Sequence, residues 1–136
     1  MPASLRLDVV TPEGSVCSEE VEMVTLPGIE GELGIYPLHV PLMTEIVPGE
    51  IIVRRGGRDH YLAVGPGFAA ITGDRVAVLT DMALRADDLD EAAVERARQA
   101  ADNRLRYRLG EGDAAAVNAS IARSIEHLRG RRRGRA

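Results

Sequence analysis

The sequence predicts a β + α protein, in which an antiparallel β-sandwich of about ten strands precedes an antiparallel hairpin of two helices. All seven Pro residues and ten of the fourteen Gly residues lie at or before Gly73, and no Pro follows residue 85. These turn-forming residues divide the first part into short segments, whereas the second part is rich in Ala and poor in β-branched residues. We therefore expect a β-sandwich domain at 1–85 and a helix-turn-helix domain at 86–136.

Short apolar segments separated by turn signals predict the strands of the first part. Apolar residues occupy every second position of 5–9, which is typical of a half-buried strand. Two-residue hairpin turns are predicted at 56–57 and 73–74. Pro followed by Gly predicts type II turns at 27–28 and 48–49. Further strand-like segments lie at 21–26, 51–53, 61–64, 68–72 and 76–80.

Two amphipathic segments predict the helices of the second part. Asp88 is the expected N-cap of the first helix, with Glu91 completing a capping box. Gly110-Glu111-Gly112 is expected to end this helix, and Asp113 is the expected cap of the second. Both apolar stripes are narrow and rich in Ala, so the hairpin is marginal alone. It is either a movable element or a stable appendage. The stripes comprise Leu89, Ala93, Ala97, Ala100 or Ala101, Leu105 and Leu109, then Ala114, Val117, Ile121, Ile125 and Leu128.

Length, composition and charge exclude several classes of protein. The chain has 136 residues, of which 45% are hydrophobic and 28% charged, as in an ordinary soluble domain. With only one Phe, Phe68, the core is expected to be mainly aliphatic. No apolar run approaches the roughly 20 residues of a membrane span, and the start of the chain lacks a signal or transit pattern. These features predict an intracellular protein of bacterial type without membrane insertion.

Residues that typically carry chemistry are sparse. The single cysteine, Cys17, excludes an internal disulfide and a multi-cysteine metal site. His39, His60 and His127 are not spaced as metal ligands, and the Gly-rich segment 28–34 contains two Glu and no Lys, unlike a phosphate-binding loop. The Arg-rich end of the chain has no aromatic residues to stack bases. We predict no catalytic residue, no metal site and no nucleic-acid partner.

One segment carries a specific family resemblance. Residues 31–42, Gly-Glu-Leu-Gly-Ile-Tyr-Pro-Leu-His-Val-Pro-Leu, resemble the signature of the epsilon subunit of bacterial F-type ATP synthases. Residues 7–12 resemble the opening strand of that family, Pro48-Gly49 follows at the family's distance, and 86–92 resemble the entry into its helical hairpin. The similarity extends over nearly the whole chain and agrees with the strand and helix pattern.

The resemblance implies a non-catalytic subunit of the central rotor stalk. In that family the sandwich contacts the gamma subunit and the ring of membrane c-subunits, with the Glu and His of the signature near the polar loops of the ring. From its neighbouring residues alone, His39 is more simply interpreted as a loop side chain that is hydrogen-bonded to nearby backbone. The family resemblance reverses this interpretation. On this basis we assign the interface with the stalk and the c-ring to Glu32, Tyr36, His39 and Pro41.

The resemblance also implies that the hairpin is regulatory. In the family it adopts a folded and an extended form, and the extended form reaches the alpha/beta catalytic head and inhibits ATP hydrolysis. From Arg104 onward this chain has nine Arg and three acidic residues, which suits contact with acidic segments of the head. The candidate contact residues are Arg123, Arg129, Arg131, Arg132 and Arg133.

Some members of the family bind ATP at the hairpin through a motif of the type Ile/Leu-Asp-x-x-Arg-Ala, which we align with the start of the second helix. Asp113 retains the Asp, but Ala116 takes the Arg position. Arg123 is a second, weak candidate for a phosphate contact, and His127 occupies the neighbouring Arg position. Because each charged hydrogen bond contributes about 1.5–3 kcal/mol, we expect no tight ATP binding and no cofactor.

The sequence thus predicts a rotor-stalk subunit that couples proton flow to ATP synthesis and inhibits ATP hydrolysis through its hairpin. It is expected at the cytoplasmic face of the bacterial inner membrane, as a peripheral subunit. The first alternative is a ligand-binding β-sandwich with a helical lid, which a deep apolar pocket between the two parts would favour. The second is a small enzyme using His39 with Glu32, which requires a third converging polar group.

Overall fold

Ten strands precede two helices in the computed structural model, which describes residues 4–133 and, for Arg132 and Arg133, the backbone only. A short 3₁₀ turn, Ala86–Asp88, connects the last strand to the first helix. This confirms the predicted fold class. The strands are β1 Leu5–Thr11, β2 Gly14–Val21, β3 Met23–Gly28, β4 Gly31–Ile35, β5 His39–Ile46, β6 Gly49–Arg55, β7 Arg58–Val64, β8 Gly67–Gly73, β9 Arg75–Thr80 and β10 Ala83–Arg85, and the helices are α1 Glu91–Leu109 and α2 Glu111–Arg133.

The strands form one sheet with the order β10-β7-β6-β3-β5-β8-β9-β1-β2, and β4 pairs with β3 beside this path. Among the described strands β1 and β9 are parallel, and the other pairs are antiparallel. The alternation along β1 buries Leu5, Leu7 and Val9 completely. These side chains meet aliphatic residues from the other half of the sheet in one sandwich core, which includes Leu26, Ile46, Ile51, Val53, Ile71, Val76 and Val78.

Glycine positions explain which predicted turns are correct. Both residues of Gly56-Gly57 have positive φ and join β6 to β7 as expected for a tight hairpin, and Gly73 at φ 55° begins the turn between β8 and β9. The type II turns predicted at 27–28 and 48–49 are wrong, because Gly28 ends β3, Gly49 starts β6, and neither has positive φ. Gly28 instead permits close approach, since an added Cβ would lie 2.7 Å from the carbonyl oxygen of Gly31.

The boundaries of the helices differ from the sequence prediction. Asp90, not Asp88, caps α1, and its Oδ1 accepts a hydrogen bond of 2.8 Å from the amide of Ala93. Gly110 at φ 84° is the only residue between the helices, so α2 begins at Glu111 and Asp113 lies in its first turn rather than at its cap. Gly130 does not end α2, which continues as a helix to Arg133.

A second apolar cluster joins the hairpin to the outer face of β7 and the β9–β10 corner. Ala63, Met82 and Leu84 contribute from the sandwich. Most of the predicted stripe is buried here, although Leu109 is exposed. Gly65 lies directly beneath α2: a Cβ there would lie 3.4 Å from Cδ1 of Ile121, at van der Waals contact. The helical members of the cluster are mainly Val94, Ala101, Leu105, Ala114, Ile121, Ile125 and Leu128.

Candidate functional site

The predicted interface residues lie in β4, in the following turn and at the start of β5. Glu32 is exposed on β4, opposite Pro27 of β3, and Tyr36 and Pro41 are also exposed. His39 is half-buried, and its Nδ1 lies 2.6 Å from the carbonyl oxygen of Val40. An Nδ1-protonated tautomer donates this hydrogen bond and stiffens the loop. The segment therefore offers one carboxylate and one imidazole on a fixed loop.

Apolar residues dominate the surface of the same segment. Leu38 is 81% exposed and Val40 is 72% exposed, on either side of His39. Leu38 also has φ 65°, a conformation that costs a bulky side chain about 1–3 kcal/mol and persists only where the surrounding structure holds it. We did not predict these two residues as part of the site. Their exposure is a signal of an interface, because apolar side chains held on a rigid loop gain free energy when a partner covers them.

The outer face of β5, β8, β9 and β1 carries a further apolar patch that the sequence prediction missed. Phe68 pairs with Leu79, and Leu79 in turn pairs with Val10, so the three side chains are in register across three strands. Met43 lies on β5 opposite Ala70, two residues along β8 from Phe68, and is 74% exposed, whereas Phe68 is 58% exposed. We call Val10, Met43, Phe68 and Leu79 the outer patch. The signal was present in β8 and β9, which are apolar at successive rather than alternate positions, as expected for strands covered on both faces.

The small-enzyme alternative finds no support in this region. His39 forms no hydrogen bond with Glu32 in the described part of the chain, where its one side-chain bond is to Val40. The residues that the structure describes contain no cluster of three His, Cys, Asp or Glu suited to a metal ion. Cys17 is buried in the sandwich, and burial, together with the charge of Glu19, raises the pKa of its thiol to about 11. Such a thiol is a poor nucleophile at neutral pH.

An open cleft of about 720 Å³ lies between the sheet and the tip of the hairpin. The sheet contributes Phe68 and Leu79 of the outer patch, and the hairpin contributes Leu109 and Val117. Because Phe68 and Leu79 are themselves more than half exposed, the cleft is a continuation of the outer patch rather than an enclosed ligand cavity. Its apolar lining suits a protein side chain from a partner at least as well as a small molecule.

The arginines predicted to contact the catalytic head have different environments. Arg123 is exposed, and its Nη2 donates a 2.8 Å hydrogen bond to Ser120 within α2. Arg129 bridges the two helices to Glu91 at 3.1 Å, and hydrogen bonding to Glu126 raises its pKa further. Arg131 reaches the sandwich and pairs with Glu50 at 3.2 Å. The side chains of Arg132 and Arg133 lie outside the described residues.

The two candidate nucleotide-contact residues are not brought together. Asp113 and Arg123 are both exposed on α2, and ten residues of helix separate their backbones by about 15 Å. Ala116 and His127, the replaced Arg positions, are exposed on the same helix. Of the positions aligned with the nucleotide motif, only Arg123 therefore offers a guanidinium.

No helix within residues 4–133 combines the length and apolarity of a membrane span. The fold and its surfaces define a class of protein: an interaction module in which a β-sandwich with an apolar outer face carries a docked helical hairpin.

Comparisons with known proteins agree with this class. The family model for the ATP synthase delta/epsilon chain β-sandwich domain matches residues 4–86. The ATP synthase epsilon chain of Desulforamulus reducens is 39% identical over 129 residues, covering 95% of this chain and 98% of the relative. The epsilon chain of Dehalococcoides mccartyi is 42% identical over 128 residues, covering 93% and 91% respectively. A chain of the Euglena gracilis mitochondrial ATP synthase shares the fold, with a TM-score of 0.67 at 20% identity over 93% of this chain and 82% of that chain.

The chain therefore belongs to the family of ATP synthase epsilon chains. This confirms the family identified from the signature segment and the β-sandwich fold predicted with it. Membership also confirms that the chain is a non-catalytic subunit rather than an enzyme.

Proposed function

We propose that the chain is a rotor-stalk subunit of a proton-translocating ATP synthase, coupling proton flow to ATP synthesis and inhibiting ATP hydrolysis through its hairpin. The outer patch carries this proposal, because its four exposed apolar side chains, three of them in register across β8, β9 and β1, need a protein partner to cover them. We assign that partner as the gamma subunit. The site of action is the cytoplasmic face of the bacterial inner membrane, where the chain is a peripheral subunit.

Glu32, Tyr36, His39 and Pro41 are the proposed contacts with the c-ring and the adjoining stalk. The exposure of Glu32, Tyr36 and Pro41 supports this role, and His39 beside them is half-buried. The positive φ of Leu38 indicates that the turn between β4 and β5 is held in one conformation by its surroundings. A carboxylate and an imidazole suit polar loops, because they form hydrogen bonds that transmit force without a covalent link. The Euglena gracilis structure that shares the fold is an assembly containing the c-ring, which agrees with this assignment.

The proposed inhibitor is the hairpin in an extended form that reaches the alpha/beta catalytic head. Its support is the contact with the sandwich through one face of each helix, where three of the seven described buried helical residues of the cluster are Ala or Val, together with the Arg excess of the hairpin. A switch needs two states that differ by a few kcal/mol, and a small apolar contact meets that condition. Arg123, Arg129, Arg131, Arg132 and Arg133 are the proposed contacts with the head.

The experiment that tests this function measures ATP hydrolysis by a catalytic head depleted of its own epsilon subunit. The full chain and a truncation ending at Arg85, which keeps all ten strands, are titrated in parallel. We expect both to bind and only the full chain to inhibit. Binding by both without inhibition would contradict the braking role alone, and failure of both to bind a matched head would contradict the stalk assignment.

A matched pair of variants distinguishes the contribution of the outer patch to binding from that of other exposed residues on the sheet. Phe68→Ser is expected to weaken binding to the gamma-containing stalk at least tenfold, because it removes an aromatic side chain from the proposed interface. Thr72→Ala, further along β8 and also exposed, is the control and is expected to bind like the unmodified chain. Equal affinities for the two variants would contradict the patch as the binding surface.

Tight ATP binding is not part of the proposed function. Ala116 and His127 supply no guanidinium, so we expect calorimetry with ATP to give no affinity in the micromolar range or tighter. A micromolar dissociation constant would contradict this. One observation, the cleft beside Leu109, supports the alternative of a ligand-binding β-sandwich. This alternative predicts that a small apolar ligand stabilises the full chain but not the truncation ending at Arg85.

A further inference from the structure

Asp81 occupies the corner between β9 and β10, where the sandwich meets the hairpin. It is buried although it carries a carboxylate. The corner around it is rigid: Thr80 Oγ1 donates to the carbonyl oxygen of Gly65 at 2.9 Å and accepts from the amide of Met82 at 3.4 Å. A buried carboxylate held in a fixed position requires a cationic partner.

The cationic partners come from α1. Arg108 Nη2 donates to Asp81 Oδ2 at 2.8 Å, and Arg104 Nε lies 3.7 Å from Asp81 Oδ1 while its Nη2 donates to the Asp81 carbonyl oxygen. Arg104 also holds Glu13, in the β1–β2 turn, through two hydrogen bonds of 2.6 and 3.3 Å. One turn of helix thus supplies two guanidinium groups to two loops of the sandwich. Glu13, Asp81, Arg104 and Arg108 thus form a group of ion pairs near the tip of the hairpin.

A second ion pair lies at the opposite end of the hairpin. Arg131, near the end of α2, donates to both carboxylate oxygens of Glu50 on β6, at 3.2 and 3.4 Å. Its guanidinium carbon lies 4.2 Å from the centre of the Tyr61 ring, a cation–π contact. The hydrogen bond with Glu50 raises the pKa of Arg131, so this group stays charged. The apolar cluster between hairpin and sandwich is therefore flanked by an ion pair at each end.

We propose that Asp81, with Glu13 and Glu50, forms an ionic clasp that holds the hairpin on the sandwich by pairing with Arg104, Arg108 and Arg131. Arg131 is already a proposed contact with the catalytic head, and Arg104 and Arg108 belong to the same Arg-rich hairpin, so an acidic partner surface would compete for all three. This inference rests on the proposed movement of the hairpin and names its regulation. Residues 1–84 have 5 Arg and 12 acidic residues, whereas the hairpin from Arg104 onward has nine Arg and three acidic residues. Exchange of one set of carboxylates for another costs little net electrostatic free energy, so an acidic partner surface competes directly with the sandwich.

Amide hydrogen exchange of the full chain tests the clasp without any partner. Asp81→Asn and Arg108→Gln are each expected to speed exchange of the amides of Ala101 and Leu105 about tenfold, the factor for one charge-assisted hydrogen bond of about 1.5 kcal/mol. The double variant should exchange within about twofold of Asp81→Asn, because both changes remove the same interaction. Arg108→Gln keeps the test valid if Asp81→Asn disturbs the corner, since the hydrogen bond and ion pair that Arg108 forms with described residues are both to the carboxylate of Asp81.

Two control variants, Arg98→Gln and Glu30→Gln, remove a charge in the same way. Arg98 lies on the same helix, and Glu30 lies in an exposed turn of the sandwich. Neither side chain forms an ion pair with a described residue. Both are expected to exchange within about twofold of the unmodified chain. The clasp would be overturned if Asp81→Asn and Arg108→Gln changed the exchange rates no more than the two controls do. It would also be overturned if the accelerations from the two single variants multiplied in the double variant.

The reconstituted catalytic head supplies the second measurement. Asp81→Asn and Glu13→Gln free the hairpin but keep its arginines, so we expect half-maximal inhibition at a concentration about tenfold lower, whereas Arg108→Gln gives a smaller change. Unchanged or weaker inhibition by Asp81→Asn would overturn the clasp as a regulator. A head that the unmodified chain does not inhibit at all would contradict the proposed braking function, and the exchange rates would still decide the clasp separately.

Discussion

The sandwich and the hairpin are held in place by different means. Large aliphatic side chains from many strands fill the sandwich, and antiparallel ladders fix the register of nearly every strand. The hairpin presents one narrow face to the sandwich, and charge pairs at each end supplement a cluster in which many helical members are small. The sandwich and the hairpin differ in how much apolar surface each strand or helix buries. One chain therefore contains a rigid scaffold, the sandwich, and a separable element, the hairpin.

The largest expected effect comes from the sandwich core. Ile71→Ala, at a completely buried position, should lower the free energy of unfolding of the sandwich by about 3 kcal/mol, through lost transfer free energy and the cavity left behind. Urea unfolding of the full chain measures it. Ile29→Ala is the control, since this side chain is 54% exposed, and it should change the free energy by less than about 0.5 kcal/mol. Equal losses would contradict the assigned core.

A smaller and more local effect is expected from the hairpin contact. Ile125→Ala should cost about 2–3 kcal/mol of docking free energy, because its side chain is buried between α2 and the sandwich. Hydrogen exchange should accelerate in α1 and α2 while the amides of β8 and β9 keep their protection. Parallel acceleration throughout the sheet would show that the two parts unfold together and would remove the distinction between scaffold and separable element. Leu109→Ala, at a partly exposed site, is the weaker control.

The cap of α1 is expected to contribute about 1 kcal/mol. Asp90→Ala removes the 2.8 Å hydrogen bond to the amide of Ala93, so the first turn of α1 should exchange its amides faster, and Asp90→Asn should restore most of the protection. Asp88→Ala tests the sequence prediction directly, because Asp88 lies in the 3₁₀ turn and forms an exposed ion pair with Arg85 at 3.7 Å. A larger effect at Asp88 than at Asp90 would contradict the observed cap.

The smallest effect at neutral pH concerns Cys17 in the sandwich. The folded thiol has its pKa raised to about 11 from 9.0, so the unfolded chain loses its proton first as the pH rises. Stability from this group is therefore complete below about pH 9 and is lost as the pH rises from 9 towards 11. Urea unfolding at several pH values should show a steeper fall in this range for the unmodified chain than for Cys17→Ala. Identical slopes would contradict the raised pKa.

The sequence prediction was most accurate where local patterns determine structure. Period-two alternation in 5–9 correctly predicted β1. The Gly56-Gly57 pair correctly predicted the β6–β7 hairpin, in which both glycines have positive φ. It was wrong at Gly28 and Gly49, because a glycine that permits close packing has the same sequence appearance as one that permits a turn. It was also wrong at the cap of α1, where Asp88 and Asp90 both fit the local pattern and the path of the chain out of β10 selects Asp90.

Local chemistry by itself therefore determined that a β part precedes two helices, that the core is aliphatic, and that the signature segment identifies the family. It did not predict β2, β4, β5 or β10 as separate strands, and it placed His39 in a loop although this residue begins β5. Only the tertiary structure decided that Phe68 lies on the surface in register with Leu79 and Val10, since sheet order cannot be read from one strand. The tertiary structure alone also placed Arg104 and Arg108 against Asp81, more than twenty residues away in sequence. Such contacts depend on the path of the whole chain, and no local preference specifies that path.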